Sequence, residues 1–178
     1  VFDVAGPQPD VRLIRPAGLD KLGYGPGVFA SGPDGWSVRQ DAALGLSYAV
    51  VLQRRPTATG ARYAFTIAAS RRGEDVVAAG RVIVTAALDA PPERLRRAHD
   101  QWWTRFRAIS NVTLPDPRLQ AHYDLVKYFY GAASRPDAPP MPLQGVWTAD
   151  NGGLPPWKGD YHNDLNTQTT YIAYQTAG

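Results

Sequence analysis

The sequence predicts an α+β chain in which an antiparallel β-sandwich portion is followed by helices. Three observations lead to this prediction. Residues before 90 contain runs rich in β-branched and aromatic side chains, the apolar period changes at Ala90, and a loop rich in Gly and Pro precedes a last helical pattern. The predicted domains are a β-sandwich portion over 1–90, a linker helix over 91–116 and a helical domain over 117–178.

The first domain is predicted from strand-like runs separated by turn residues. Val, Ile, Tyr and Phe are frequent in the runs, and Gly, Pro and Arg punctuate them. Their spacing fits an antiparallel sandwich. A segment dense in Gly and Pro over 21–36 is predicted as loop or short strand. The predicted strands are 11–15 (VRLIR), 46–53 (LSYAVVLQ), 62–70 (RYAFTIAAS) and 76–88 (VVAAGRVIVTAAL).

Two helices are predicted next, over 92–108 and 117–131. Proline suits the first turn of a helix, and Glu93 suits its positive end. Asp116 precedes a second helix that ends near Gly131. The apolar stripes are Leu95, Ala98, Trp102 and Phe106 in the first helix, and Leu119, Tyr123, Val126 and Tyr130 in the second.

The stretch 142–171 has the composition of a binding site. It holds two Trp, two Tyr, one His, three Asp, three Asn and two Gln. Aromatic faces pack against the C–H faces of sugar rings, while amides and carboxylates bond their hydroxyls. The composition therefore points to a carbohydrate ligand. A further helix is predicted after the turn residues stop, with Asn163 or Asp164 as its N-cap, running through LNTQTTYIAYQTA.

Three motifs in this stretch resemble those of a known family. The segments LQGVW, PPWKGDY and DLNTQ occur in this order. Together they resemble the six-hairpin glycosidases, closest to glycoside hydrolase family 95, the inverting α-L-fucosidases and α-galactosidases. The resemblance covers residues from about 91 to 178. It implies that the chain spans the end of a β-sandwich domain and the first part of an (α/α)6 barrel.

The resemblance also implies the catalytic residues. In the family, an Asn-x-Asn positions the attacking water with help from a carboxylate on a later helix, and a Glu later still is the general acid. The matching positions here are Asp164 and Asn166, so this chain departs from the pattern at the first of them. A carboxylate at that position can take a proton from water, which an amide cannot. It is equally compatible with a different sugar, with lost activity, or with a simple helix N-cap.

The substrate-binding candidates lie near the same motifs. Trp147 and Trp157 are predicted sugar platforms, with loop anchoring as the alternative for both. Gln144, His162 and Gln168 are predicted to bind hydroxyl groups. No cofactor or metal is expected. A divalent cation held by Asp160, His162 and Asp164 is a weaker alternative, because alternate spacing in a loop is loose evidence for a metal site.

Composition excludes several other classes of function. The chain has 178 residues and a net charge of +3, but its arginines are scattered in short groups, which argues against nucleic-acid binding. The absence of cysteine excludes disulfides and thiolate metal sites. No apolar run is long enough for a membrane span, and no phosphate-binding loop or serine-hydrolase motif occurs.

Two readings of function remain. The first is a segment of an inverting glycosidase that removes an α-linked terminal sugar of the fucose or galactose type, with the remainder of the barrel supplying the general acid. The second is a non-catalytic carbohydrate-binding or interdomain segment. The chain begins without Met and stops after a predicted helix, so we expect a piece of a longer protein. We also expect a periplasmic or secreted location in a bacterium.

Overall fold

The computed structural model of the chain describes residues 1–6, 18–136, 139–142, 145 and 156–177. The chain forms two compact units, Val1–Arg96 and Arg97–Gly178. The described residues combine an antiparallel sheet with several helices, which confirms the α+β class. The elements are β1 (Phe2–Ala5), α1 (Gly18–Lys21), β2 (Val28–Gly32), β3 (Gly35–Asp41), β4 (Ser47–Thr57), β5 (Gly60–Ser70), α2 (Val76–Asp89), α3 (Pro92–Ile109), α4 (Pro117–Ala133), α5 (Leu165–Tyr171) and α6 (Tyr174–Ala177), with 3-10 helices at Ala43–Gly45 and Pro156–Gly159.

The sheet of the first unit has five antiparallel strands in the order β1-β5-β4-β3-β2. The strands predicted over 46–53 and 62–70 are confirmed as parts of β4 and β5. The segment 21–36 holds β2 and the start of β3, in agreement with a loop or short strand. The predicted strand over 11–15 lies outside the described residues.

The strand predicted over 76–88 is wrong, because this segment is helix α2. Val and Ile favour strands, but the side chains buried in α2 recur every four residues, which is the period of one helix face. Asp75 supplies the N-cap, since its Oδ1 accepts hydrogen bonds from the amides of Val77 and Ala78 at 3.0 and 3.1 Å. The change to helical period therefore comes at 76 and not at Ala90. The buried residues of α2 are Val76, Gly80, Val84 and Leu88.

Helix α2 covers one face of the sheet and builds the core of the first unit. Val76 and Val84 pack with Ala49, Val51 and Ala64 of the two long strands, and all five are almost fully buried. Full burial of a valine side chain contributes about 1.5–3 kcal/mol to the stability of the fold. Helix α2 therefore packs on the sheet where a strand over 76–88 was predicted.

The other face of the sheet carries large apolar side chains that remain exposed. Because Ala64 faces α2, its neighbour Phe65 points to the opposite face, and Ile67 follows at the strand period of two. Phe65 and Ile67 are 56% and 55% exposed, and Phe2 on β1 is 44% exposed. Phe2 stacks on Tyr63 of β5 with a centroid distance of 5.5 Å. This outer face is therefore more apolar than an ordinary solvated sheet face.

The two helices predicted after the sheet are confirmed. Observed α3 and α4 end within two residues of the predicted positions. Asp116 caps α4, since its Oδ1 accepts hydrogen bonds from the amides of Arg118 and Leu119 at 2.7 and 3.4 Å. Among the helices that the structure describes, none combines the length and the apolar character that a membrane crossing requires.

Within the second unit, α3 and α4 pack through aromatic rings. Trp103 of α3 stacks on Tyr128 of α4 with a centroid distance of 5.2 Å. Gly131 allows the close approach, because a Cβ atom there would lie 2.7 Å from the ring of Phe106. The buried Lys127 donates a hydrogen bond from Nζ to the carbonyl of Arg107 at 3.1 Å, near the C-terminal end of α3. A cation at this end of a helix is favourable.

The Gly80→Ala substitution tests the packing of α2 on the sheet. Alanine favours a helix by about 1 kcal/mol over glycine, but its Cβ would lie 2.6 Å from Val51 Cγ2. Because overpacking a core costs about 1–3 kcal/mol, we expect a net loss in the free energy of unfolding, measured by chemical denaturation. The control is Gly25→Ala, where no atom lies within 4 Å of the added Cβ. A stabilised Gly80→Ala variant would contradict this packing.

Candidate active site

Asp164 begins the helix that carries the predicted catalytic residues. It adopts an extended backbone conformation, with φ −141° and ψ −151°, and α5 starts at the next residue. Its Oδ1 accepts a hydrogen bond from the amide of Asn166 at 3.0 Å. The predicted N-cap is therefore confirmed, and Asp164 is the residue that provides it.

Helix α5 is shorter than predicted. A single helix was expected through Ala177, but α5 ends at Tyr171, and α6 begins at Tyr174 after a turn. Thr169, Thr170 and Ile172 lie around this break, and β-branched side chains lose rotamer freedom in a helix. The first turn of α5, which holds the candidate residues, is not affected.

Three predicted site residues lie together at the start of α5. Asp164 is the N-cap, Asn166 is the second helical residue, and the backbone N–H of Gln168 donates to the Asp164 carbonyl at 3.1 Å. All three are exposed. The cap uses Oδ1 of the carboxylate, and the second carboxylate oxygen can accept a proton or bond a water molecule. An N-cap and a proton acceptor are thus compatible roles for Asp164.

His162 precedes the helix and is held by two contacts. Its Nδ1 lies 2.9 Å from Oδ2 of Asp160, and its carbonyl accepts a hydrogen bond from the Thr167 hydroxyl. The His162 side chain is 31% exposed and that of Asp160 is 47% exposed. His162 is therefore tied both to the loop before it and to the first turn of α5.

Trp157 lies in the 3-10 helix that precedes His162 and α5 in the chain. Its backbone has φ 60°, which is uncommon for a bulky residue and costs about 1–3 kcal/mol. The side chain is 65% exposed, and its ring meets that of His162 edge to face, with centroids 5.4 Å apart and an interplanar angle of 79°. The amide of Asp160 closes the turn by bonding the Trp157 carbonyl at 3.1 Å. Exposure on this scale leaves ring surface available to a ligand.

Two tyrosines support α5. The Tyr130 hydroxyl of α4 donates to the Thr170 carbonyl at 2.6 Å, and the Tyr171 hydroxyl donates to the Met141 carbonyl at 2.8 Å. Burial raises the pKa of Tyr171, so its hydroxyl remains a donor at neutral pH. Tyr174 packs edge to face against both rings. These contacts hold the helix on α4 and on the segment before the site.

Two predicted substrate-binding residues, Trp147 and Gln144, lie outside the described residues. The cation alternative concerns residues that are described. No group of three or more His, Asp or Glu within the described part of the chain could hold a metal ion. Asp160 pairs with His162, whereas Asp164 caps α5, so these three side chains do not form the proposed cation site.

Sequence reasoning missed three residues that organise the site. Asp160 is predicted only as a ligand of the alternative cation site, although an acidic residue two positions before a histidine is also a signal for an ion pair. Tyr130 is predicted only as part of the apolar stripe of the second helix, and Tyr171 has no predicted role, because their hydrogen bonds join segments distant in sequence. Nothing in the local pattern identifies a partner 30 or 40 residues away.

Comparison with known proteins identifies the family. The protein-family model described as "Glycosyl hydrolase family 95 catalytic domain" matches residues 81–178 of this chain. The chain belongs to glycosyl hydrolase family 95. The match begins within α2 and continues through α5, so the family 95 region contains Asp164, Asn166 and the residues around them.

The similarity to one curated relative covers a shorter part of the chain than the family match does. This family 95 chain is 38% identical over 72 residues to the Aspergillus niger protein named "Probable alpha-fucosidase A". The aligned part is 39% of this chain and 9% of that protein. The chain thus spans about a tenth of the length of this relative. No solved structure matches the chain significantly.

Replacing Asp164 tests the cap at the start of α5. In Asp164→Ala the Asn166 amide loses its acceptor, and an N-cap is worth about 1 kcal/mol. We expect hydrogen exchange of the Asn166 amide to accelerate about 5-fold, as measured by NMR. Asp164→Asn is the matched control, because asparagine caps a helix equally well. Equal exchange rates in the wild type and in Asp164→Ala would disprove the cap.

Proposed function

We propose that this chain is part of a longer glycosidase that hydrolyses an α-linked terminal sugar with inversion of configuration. The observation that carries the proposal is the family 95 match, which includes the helix start with Asp164 and Asn166. An inverting reaction needs an acid for the leaving oxygen and a base for water on the opposite face of the sugar. The exposed carboxylate of Asp164 supplies the chemistry of the base.

The proposed roles of Asp164 and Asn166 follow from their positions. One oxygen of Asp164 holds the first turn of α5, which fixes the carboxylate relative to the helix. The other oxygen takes a proton from the attacking water. The side-chain amide of the exposed Asn166 bonds the same water and orients it, because a carboxamide has both donors and an acceptor. The general acid lies on a later helix, in the remainder of the protein.

The substrate is proposed to bind on the loop side of α5. Trp157 offers an exposed ring beside His162, and Gln168 is exposed one turn after the cap. An aromatic face next to polar groups suits a sugar ring. Trp147 and Gln144 are assigned to the same role from sequence alone. These residues bind and orient the sugar while Asp164 acts on water.

The proposed sugar is of the fucose or galactose type. The support is the named activity of the Aspergillus niger relative, together with the family resemblance of the LQGVW, PPWKGDY and DLNTQ motifs. Asp164 stands where the family motif has Asn, so this enzyme is proposed to place a carboxylate where its relatives place an amide. The substrate is part of an oligosaccharide or polysaccharide.

We propose the following architecture for the longer protein. The apolar outer face of the sheet, with Phe65 and Ile67, packs against a second sheet and completes a sandwich. Helices α4 and α5 begin an (α/α)6 barrel, whose remaining helices complete the active site. A periplasmic or secreted location stays a prediction.

The central test is the turnover of Asp164→Asn in the complete enzyme. Losing a general base costs about 10² to 10⁴ in rate, whereas asparagine keeps the helix cap. We therefore expect kcat on an aryl α-fucoside or α-galactoside to fall by this factor. The melting temperature should stay within about 1 °C of the wild type, because the cap is retained.

Two other outcomes would count against the proposal. Full turnover in Asp164→Asn would show that this residue only caps α5 or positions water as an amide does. A complete wild-type enzyme that binds saccharides but hydrolyses none of them would favour the non-catalytic alternative. The matched control is Asp100→Asn, an exposed carboxylate of α3 that has no proposed role.

Trp157→Ala tests the sugar platform. Losing a large aromatic contact should weaken saccharide binding by about 1 to 3 kcal/mol, measured by calorimetry on the complete enzyme. Trp157→Phe should retain most of the affinity, because it keeps an aromatic face. If Trp157→Ala binds as tightly as the wild type and the fold is intact, Trp157 is a loop anchor instead.

A further inference from the structure

The carboxylate of Asp160 has no role in the proposed reaction, yet it contacts a residue of the site. Oδ2 of Asp160 lies 2.9 Å from Nδ1 of His162, and the two residues are separated by one position. Their side chains are 47% and 31% exposed, so neither is buried as a structural ion pair would be. An exposed pair of this kind adds little stability. Its presence beside α5 calls for another explanation.

The chemistry of the pair determines which nitrogen of His162 carries a proton. An ionised carboxylate can only accept hydrogen bonds, so the nitrogen that faces it must be a donor. Nδ1 therefore carries the hydrogen. In the neutral imidazole the other nitrogen, Nε2, then has a free lone pair and can accept a hydrogen bond. Without Asp160, nothing would favour the tautomer of His162 that carries its hydrogen on Nδ1.

Three further contacts hold the pair in place. The amide of Asp160 bonds the carbonyl of Trp157 at 3.1 Å, which fixes the backbone before the carboxylate. The Trp157 ring lies edge to face against the imidazole. The hydroxyl of Thr167, in the first turn of α5, bonds the carbonyl of His162. The imidazole is therefore held by Asp160 and the Trp157 ring, and the backbone of His162 is tied to the first turn of α5.

We propose that Asp160 is a positioning residue that holds His162 with Nε2 as a hydrogen-bond acceptor for a hydroxyl group of the sugar. This inference rests on the proposed function for the identity of the ligand, but the state of the imidazole does not depend on it. Sugar hydroxyls donate as well as accept, and a site with an acceptor at this point selects a ring that presents a hydroxyl to it. Asp160 thereby acts on binding, through His162.

The first test measures the tautomer of His162 directly. The chain has three histidines, so selective ¹⁵N labelling and two-bond ¹H–¹⁵N spectra can resolve each ring. At about pH 8, where an ordinary histidine is neutral, we expect hydrogen on Nδ1 of His162. In Asp160→Ala the hydrogen should move to Nε2, the form that unrestrained histidine prefers. Hydrogen on Nε2 in the wild type would overturn the inference, whatever the enzyme hydrolyses.

The second test uses the complete enzyme. Losing one oriented hydrogen bond to the substrate should raise KM about 2- to 10-fold in Asp160→Ala. Because the bond is present in both ground state and transition state, kcat should change less than about 2-fold. Asp160→Glu should restore part of the affinity, and Asp100→Asn should match the wild type.

The outcomes separate this inference from the proposed function. An active wild type with an unchanged KM in Asp160→Ala would overturn the positioning role and leave the glycosidase proposal intact. A wild type that hydrolyses no glycoside would overturn the proposed function, and the tautomer measurement would still decide the state of His162. A large fall in kcat with unchanged KM would also overturn the inference, since it would place Asp160 in the chemical step.

Discussion

The hydrogen bond from the backbone amide of Asn166 to the Asp164 carboxylate determines where helix α5 begins. The first amides of a helix lack partners within the helix, and a short carboxylate at the N-cap supplies one. Because α5 has only seven residues, it has little stability of its own, and its first turn depends on this cap. The same bond ties the carboxylate of the proposed base to the backbone of Asn166, whose side-chain amide is proposed to orient the water.

The remaining contacts of the site bring distant segments to this helix start. Tyr130 and Tyr171 use their hydroxyls to bond backbone carbonyls, which joins α5 to α4 and to the segment at Met141. On the other side, the Thr167 hydroxyl reaches the His162 carbonyl, and Asp160 holds the imidazole. The uncommon backbone of Trp157 fits this picture, since strained residues occur where the surrounding structure imposes a functional arrangement.

The first unit shows where local pattern and tertiary structure disagree. Strands β4 and β5 were predictable because β-branched and aromatic residues alternate there between two faces. Segment 76–88 is equally rich in valine and isoleucine, yet it is helical. Its four buried positions, spaced by four, match the sheet surface around Val51, and Gly80 removes the Cβ that would collide with it. Packing therefore outweighed the preference of the side chains for strands.

The sequence by itself determined the helices α3 and α4, a cap at Asn163 or Asp164 and the family, because each depends on residues close together in the chain or on a motif. Apolar spacing and capping residues are local signals, and they are reliable where no competing partner intervenes. Only the tertiary structure decided that α2 covers the sheet, that two tyrosines hold α5, and that Asp160 faces Nδ1 of His162. Packing area and side-chain direction arise from contacts that form only when the chain is folded, so no local pattern contains them.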